Sequence, residues 1–107
     1  MTYDTKNRIL HTGVYEKVKL TKLQHKLLIC LSSGNAVSIK EIAEYSHGVF
    51  DKYTDYAIRI TIFKLRVKTK KQLKIKTVNK FGYRLESEIY FEWGGIKYEW
   101  NKSWRIC

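Results

Sequence analysis

Hydrophobic and polar positions change rhythm along this chain, alternating near both ends and recurring at spacings of three and four in the middle. Val14, Glu16, Val18 and Leu20 alternate with Tyr15, Lys17 and Lys19, which sets successive side chains on opposite faces of a strand. With residues 8–11 on the far side of Thr12-Gly13, this predicts an N-terminal β-hairpin over 8–20. The polar residues 1–7 ahead of it are expected to be loose. Leu20, Leu23, Leu27, Leu28 and Leu31 then mark one side of a helix over 21–32.

Start and stop signals divide the middle of the chain. Thr21 can cap the first helix, with Gln24 completing a capping box, and Gly34-Asn35 stops it. After a short extended step at Ala36-Val37, Ser38 and Glu41 predict a second boxed helix that carries Ile39, Ile42 and Ala43 and ends at Gly48. Residues 49–53 are expected to be a connecting loop. Thr54 or Asp55 is expected to cap a third, longer helix extending to Lys71. Its inner face is Ile58, Ile62 and Leu65, with Ala57 and Ile60 beside them. Arg59, Thr61, Phe63, Lys64, Arg66 and Lys68 are left outside.

Two more hairpins follow. Residues 73–78 and 82–85 flank Asn79-Lys80-Phe81. Gly82 is expected to supply a backbone angle that a side chain forbids, and Tyr83 and Leu85 to join the core. Residues 89–93 and 96–100 flank Gly94-Gly95, and Phe91, Trp93, Tyr98 and Trp100 make this C-terminal hairpin strongly aromatic. Strands, then three helices, then strands indicate an α+β fold. The 107 residues, with no internal repeat or linker, read as a single domain over 1–107.

Charge sharpens the reading at one place. There are 21 Lys and Arg against 10 Asp and Glu, a net +11. No acid occurs between Tyr56 and Leu85, a stretch that holds Arg59, Lys64, Arg66, Lys68, Lys70, Lys71, Lys74, Lys76, Lys80 and Arg84. Solubility needs only interspersed signs, so one sign over the third helix and the next hairpin points to a polyanion. A B-DNA major groove, about 12 Å wide, admits one such helix.

Other chemistries find little support. His11, His25 and His47 are scattered, and Cys30 and Cys107 cannot make a four-ligand zinc site. No nucleophile stands beside a base and no glycine-rich phosphate loop is present, so neither an enzyme nor a cofactor is expected. Apolar runs such as 27–31 fall short of the roughly 20 residues that span a bilayer. The polar N-terminus lacks a signal-peptide stretch, which leads to a cytoplasmic expectation.

In residues 20–86 the chain resembles the OmpR/PhoB-type winged helix-turn-helix, the effector domain of bacterial response regulators. The residues carrying the resemblance are Leu20-Thr21-Lys22-Leu23-Gln24-His25-Lys26-Leu27-Leu28, then Val37-Ser38-Ile39-Lys40-Glu41-Ile42-Ala43-Glu44. Ile58-Arg59-Ile60-Thr61-Ile62-Phe63-Lys64-Leu65-Arg66 follows. The most specific is Thr77-Val78-Asn79-Lys80-Phe81-Gly82-Tyr83-Arg84-Leu85. The resemblance implies a third helix in the DNA major groove, contacting through Tyr56, Thr61, Phe63, Lys64 and Arg66. It also implies a wing in an adjacent minor groove, contacting through Thr77, Asn79, Lys80 and Tyr83. The 49–53 loop, with Phe50 and Tyr53, would touch RNA polymerase, and tandem copies or a homodimer would form on DNA. Departures are Arg59 where the family has Asp, Phe63 where a basic residue is common, His25 for an aromatic and His47 for a Trp. The N-terminal sheet reads as shortened to one hairpin. No receiver domain is recognised, so a stand-alone regulator without a phosphorylation switch is expected.

Roles follow from residue chemistry. Arg59, Thr61, Lys64 and Arg66 are candidates for base or phosphate contact, and Lys68, Lys70, Lys71, Lys74 and Lys76 for phosphates. Phe63 packs either on a thymine methyl or on the wing or an adjoining strand. The 89–107 extension either covers the core or offers Phe91, Trp93, Tyr98 and Trp100, with Trp104, to a partner or a second copy. An acidic protein from the transcription machinery is the alternative partner. RNA is a weaker one, because the basic and aromatic segments are separate.

Overall fold

In a computed structural model, which describes residues 1–93 and the backbone of 97–100, the chain begins with three short strands. They are β1 (Thr2–Asp4), β2 (Ile9–His11) and β3 (Lys17–Lys19). Then come α1 (Lys22–Cys30), β4 (Val37–Ser38), α2 (Ile39–His47) and α3 (Lys52–Lys68). Strands β5 (Ile75–Val78), β6 (Gly82–Leu85), β7 (Tyr90–Trp93) and β8 (Lys97–Trp100) complete the order. The fold is α+β, with three helices and two sheets among the described residues.

The expected loose N-terminus is instead a strand inside a sheet. β1 pairs antiparallel with β2 and parallel with β7, giving a sheet of order β3-β2-β1-β7-β8. Tyr3, paired with Leu10 on one side and Phe91 on the other, is fully buried. So the N-terminal sheet is not a lone hairpin, and β7 and β8 belong to it rather than forming an appendage. A three-residue strand with one inward side chain carries too little alternation to be read locally, and its β7 partner is remote in sequence. The predicted strand over 14–20 shrinks to β3. Thr12 and Gly13 N–H both donate to the Glu16 carbonyl, and this turn leaves Val14 and Tyr15 90% and 98% exposed.

Helix starts follow side-chain capping. Thr21 Oγ1 accepts from Gln24 N–H at 3.2 Å and Gln24 Oε1 from Thr21 N–H at 3.0 Å, so the predicted box opens α1. Ser38 Oγ accepts from Glu41 N–H at 3.1 Å to open α2, which ends at Gly48 with φ 79°. The third helix starts earlier than Thr54. Asp51 caps it, accepting from Tyr53 and Thr54 N–H, while Thr54 Oγ1 accepts from Asp51 N–H. A threonine in the position usually filled by Glu or Gln hid this box. The helix also ends earlier than Lys71, at Lys68 capped by Thr69, and Lys70 and Lys71 turn the chain with φ of 53° and 62°.

The core joins both sheets to the helices. Leu27, Leu28 and Leu31 of the α1 region, Ile42 of α2, and Ile58, Ile62 and Leu65 of α3 are buried with Leu10, Leu73, Ile75, Tyr83, Leu85, Ile89 and Phe91. Tyr83 and Leu85 are core residues, as expected. The second sheet, β4-β6-β5, explains Gly82 differently from the expectation. Its φ is not among the positive ones, which among the described glycines are those of Gly34 and Gly48. A Cβ there would lie 1.9 Å from the Val37 carbonyl oxygen and 2.8 Å from Ser38 Cα, so β4 can approach only a bare backbone. Gly82→Ala is expected to destabilise by about 3 kcal/mol, read as a lowered denaturant midpoint, because the obstructing atoms are backbone.

Tyr3 also closes a polar contact at the core edge. Its hydroxyl and His25 Nδ1 are 2.7 Å apart. Burial raises the Tyr3 pKa, whereas for His25 burial, and then the Arg8 charge, lowers it from its usual 6.5. The folded imidazole therefore holds its proton less readily than the unfolded one. Its contribution is present above about pH 6.5 and is lost as pH falls through that value toward the folded pKa. Denaturant midpoints are expected to drop across that window in the native chain and to flatten there in His25→Gln. Equal slopes in the two chains would contradict this linkage.

Candidate functional site

Helix α3 has two unlike sides. Ile58, Ile62 and Leu65 press into the core. On the opposite side Tyr53, Tyr56, Phe63 and Val67 are 74%, 66%, 63% and 57% exposed, with half-buried Ile60 completing spacings of three, four, three and four. An apolar crest thus runs along the solvent side of the helix. Phe63, at 63% exposed, leaves most of its ring to solvent. The crest was missed in the sequence because one apolar stripe, 58-62-65, already accounted for the helix. The second stripe, at equal spacing, was the signal.

Cations line both flanks of the crest. Arg59 and Arg66 lie seven residues apart on one side, Lys64 and Lys68 four apart on the other. Arg59 Nε donates to Asp55 at 2.9 Å, an exposed i,i+4 pair. Lys64 is exposed. Arg66, one of the candidates for base or phosphate contact, has its guanidinium engaged within the fold. It is half-buried, donates to the Ile75 carbonyl and to Thr77 Oγ1 (3.2 Å), and sits 5.9 Å from the Tyr83 ring centroid. Arg66 therefore fixes the β5–β6 hairpin to the side of α3. Thr77, expected on the DNA, is exposed and accepts from Arg66. Lys68 reaches the other way, to the Lys19 carbonyl at 2.8 Å and Gln24 Oε1 at 3.1 Å. Thr61 is buried and donates to the Ala57 carbonyl at 2.7 Å, so it cannot contact a partner. Its hydroxyl satisfies an acceptor within the helix rather than facing out.

The hairpin continues the basic surface. Lys76 sits directly opposite Arg84, whose second partner is Glu86 at 2.8 Å. Asn79 and Lys80 are exposed at the tip, and Lys80 has φ 54°. Between α3 and β5 a concavity of about 470 Å³ is lined by Arg66, Lys71, Lys74 and Lys76, with Glu86 at its edge. Among the described residues the non-glycine positions with positive φ are Arg8, Lys70, Lys71 and Lys80, all basic. The left-handed region favours glycine and asparagine, so these cations occupy positions that local conformation alone would give to other residues.

The chain matches no protein-family model, and no curated protein matches it.

The remaining candidates divide. Phe50 is exposed in the 48–51 turn, while Tyr53 stands in the first turn of α3 and not in a loop. Phe91, expected as a partner contact, is fully buried against Tyr3, and half-buried Trp93 stacks on it at 6.2 Å between centroids. Phe91 and Trp93 of β7 therefore cover the core, while Tyr90 is exposed, and Phe91 leaves the list of partner contacts. The side chains of Tyr98 and Trp100, and all of Trp104 and Cys107, lie outside the described residues. Cys30 is half-buried, and burial, then the Glu41 charge, raises its thiol to about 11. Among the described residues no three His, Cys, Asp or Glu gather as a metal site, and no helix is long and apolar enough to cross a membrane.

The role of Arg66 is open to test. Arg66→Ala is expected to cost about 2 kcal/mol of stability, because it deletes hydrogen bonds from a charged donor that tie two elements together. Exposed Lys64→Ala should leave the denaturant midpoint unchanged. Matching midpoints for the two variants would remove the clamp.

Proposed function

We propose that the chain is a winged helix-turn-helix domain that binds double-stranded DNA. In this reading α3 lies in the major groove and the β5–β6 hairpin is the wing. The observation that carries it is the acid-free stretch from Tyr56 to Leu85, which sets cations on the flanks of α3, at the Arg66 clamp and at the tip at Lys80. Acids pair only at its ends, Asp55 to Arg59 and Glu86 to Arg84, among the described residues. Phosphates run along both edges of a major groove, and cations stand on both flanks of this helix. Lys71, Lys74 and Lys76 beside the concavity are available to phosphates of the DNA backbone. The contacts are then Tyr56, Arg59, Phe63 and Lys64 on the helix and Asn79 and Lys80 on the wing. Arg66 and Thr77 position the wing. Regulation of transcription in the cytoplasm is the biological role this chemistry suits, with no catalytic step.

A second reading has its own support. Val49, Phe50 and Tyr53 form an exposed apolar group at the turn between α2 and α3, away from the hairpin tip in sequence. An acidic protein with an apolar centre, such as a component of the transcription machinery, would cover it.

Salt titration separates the two. Affinity for a random-sequence duplex should fall about 10³-fold between roughly 50 and 200 mM salt, as expected for about six phosphate contacts. Lys64→Ala and Lys80→Ala should each lower the salt slope by about one without changing thermal stability. A chain that leaves duplex DNA unbound at the lower salt would sink the DNA reading.

A further inference from the structure

The apolar crest of α3 and the cations beside it together restrict what can cover it. An exposed line of apolar side chains marks a contact surface. A second copy docked crest to crest would set Arg59 and Lys64 against their own duplicates, and like charges across a contact oppose it. A purely apolar groove would desolvate Lys64 and the Arg59–Asp55 pair and offer them no new partner. The partner must be apolar along a central line and anionic on both sides of it.

Duplex DNA has that cross-section. Its phosphates rim the major groove, and the apolar group displayed on the groove floor is the C5-methyl of thymine. Three polar side chains of this helix are engaged within the fold, which leaves fewer of them to read base edges by hydrogen bonding. Thr61 donates to the Ala57 carbonyl, Arg66 holds the β5–β6 hairpin, and Lys68 bonds Lys19 and Gln24. Resting on the DNA reading above, we infer that Tyr56, Ile60 and Phe63 select thymine-rich sites by packing on thymine methyl groups. Arg59 and Lys64 then meet the phosphates on either side. The chain reads methyl pattern more than donor and acceptor pattern.

The experiment changes the DNA and so avoids perturbing the fold. Duplexes are selected from a random pool with the full chain, and the best is resynthesised with deoxyuridine replacing thymidine at one position at a time. This removes a methyl group and nothing else. Each methyl under the crest is expected to be worth about fourfold in affinity. Phe63→Ala, whose ring is exposed, should keep its thermal stability and lose that thymine-to-uracil ratio at the positions Phe63 covers. Equal affinity for thymine and uracil duplexes in a chain that binds both tightly would overturn the crest assignment and leave DNA binding standing. Selection of G·C-rich sites, or tighter binding to the isolated strand, would also overturn it. So would a Phe63→Ala variant with duplex affinity and ratio unchanged, which would hand the crest to a protein partner. Failure of every duplex to bind would instead remove the DNA reading itself.

Discussion

Burial of one side of α3 sets the geometry of everything that faces solvent beside it. Ile58, Ile62 and Leu65 are at most 1% exposed. Turning the helix by one residue, about 100°, would bring Arg59, Phe63 and Arg66 into the core in their place. Burying two guanidinium groups without partners forbids that rotation. The phase of the helix is therefore locked, and with it the crest and both basic flanks. Arg66 carries the same constraint outward, because its bonds to β5 hold the hairpin against the helix flank.

The surface so displayed is unfavourable to the free chain. Lys76 faces Arg84 across the ladder, and like charges directly opposite destabilise a sheet. Lys70, Lys71 and Lys80 sit in a backbone region that suits glycine better. No acid occurs from Tyr56 to Leu85, and the only ion pairs reaching into it from the described residues come from Asp55 and Glu86 at its ends. An anion laid across this surface relieves the repulsion, which is the physical content of the proposed DNA binding. Stability that tolerates it comes from the core, where β1 ties the N-terminal strands to β7 and buries Tyr3 against Phe91.

Much of this was legible along the chain. The three helices, two of their caps, the β5–β6 hairpin and the inner stripe of α3 are local, written in spacings of three and four, in Thr21 to Gln24, and in Ser38 to Glu41. The acid-free basic stretch is a fact of sequence alone. Less legible were elements whose signal is short or shared. Asp51 caps α3 through a threonine that did not look like a box partner, and Lys70 and Lys71 end the helix without a glycine.

What the amino-acid order determined by itself is local: which segments coil, where they stop, and that a cationic stretch is left to find an anion. Tertiary contact decided the rest. Tyr3 became core because a strand from the far end of the chain lies beside it, and Gly82 is needed because the backbone of Val37 passes against it. Thr61, Arg66 and Lys68 left the list of free contacts because each found a partner within the fold. Spacing tells which side of a helix a residue occupies. Whether its polar atoms remain free depends on elements distant in sequence, and those meet only once the core has closed.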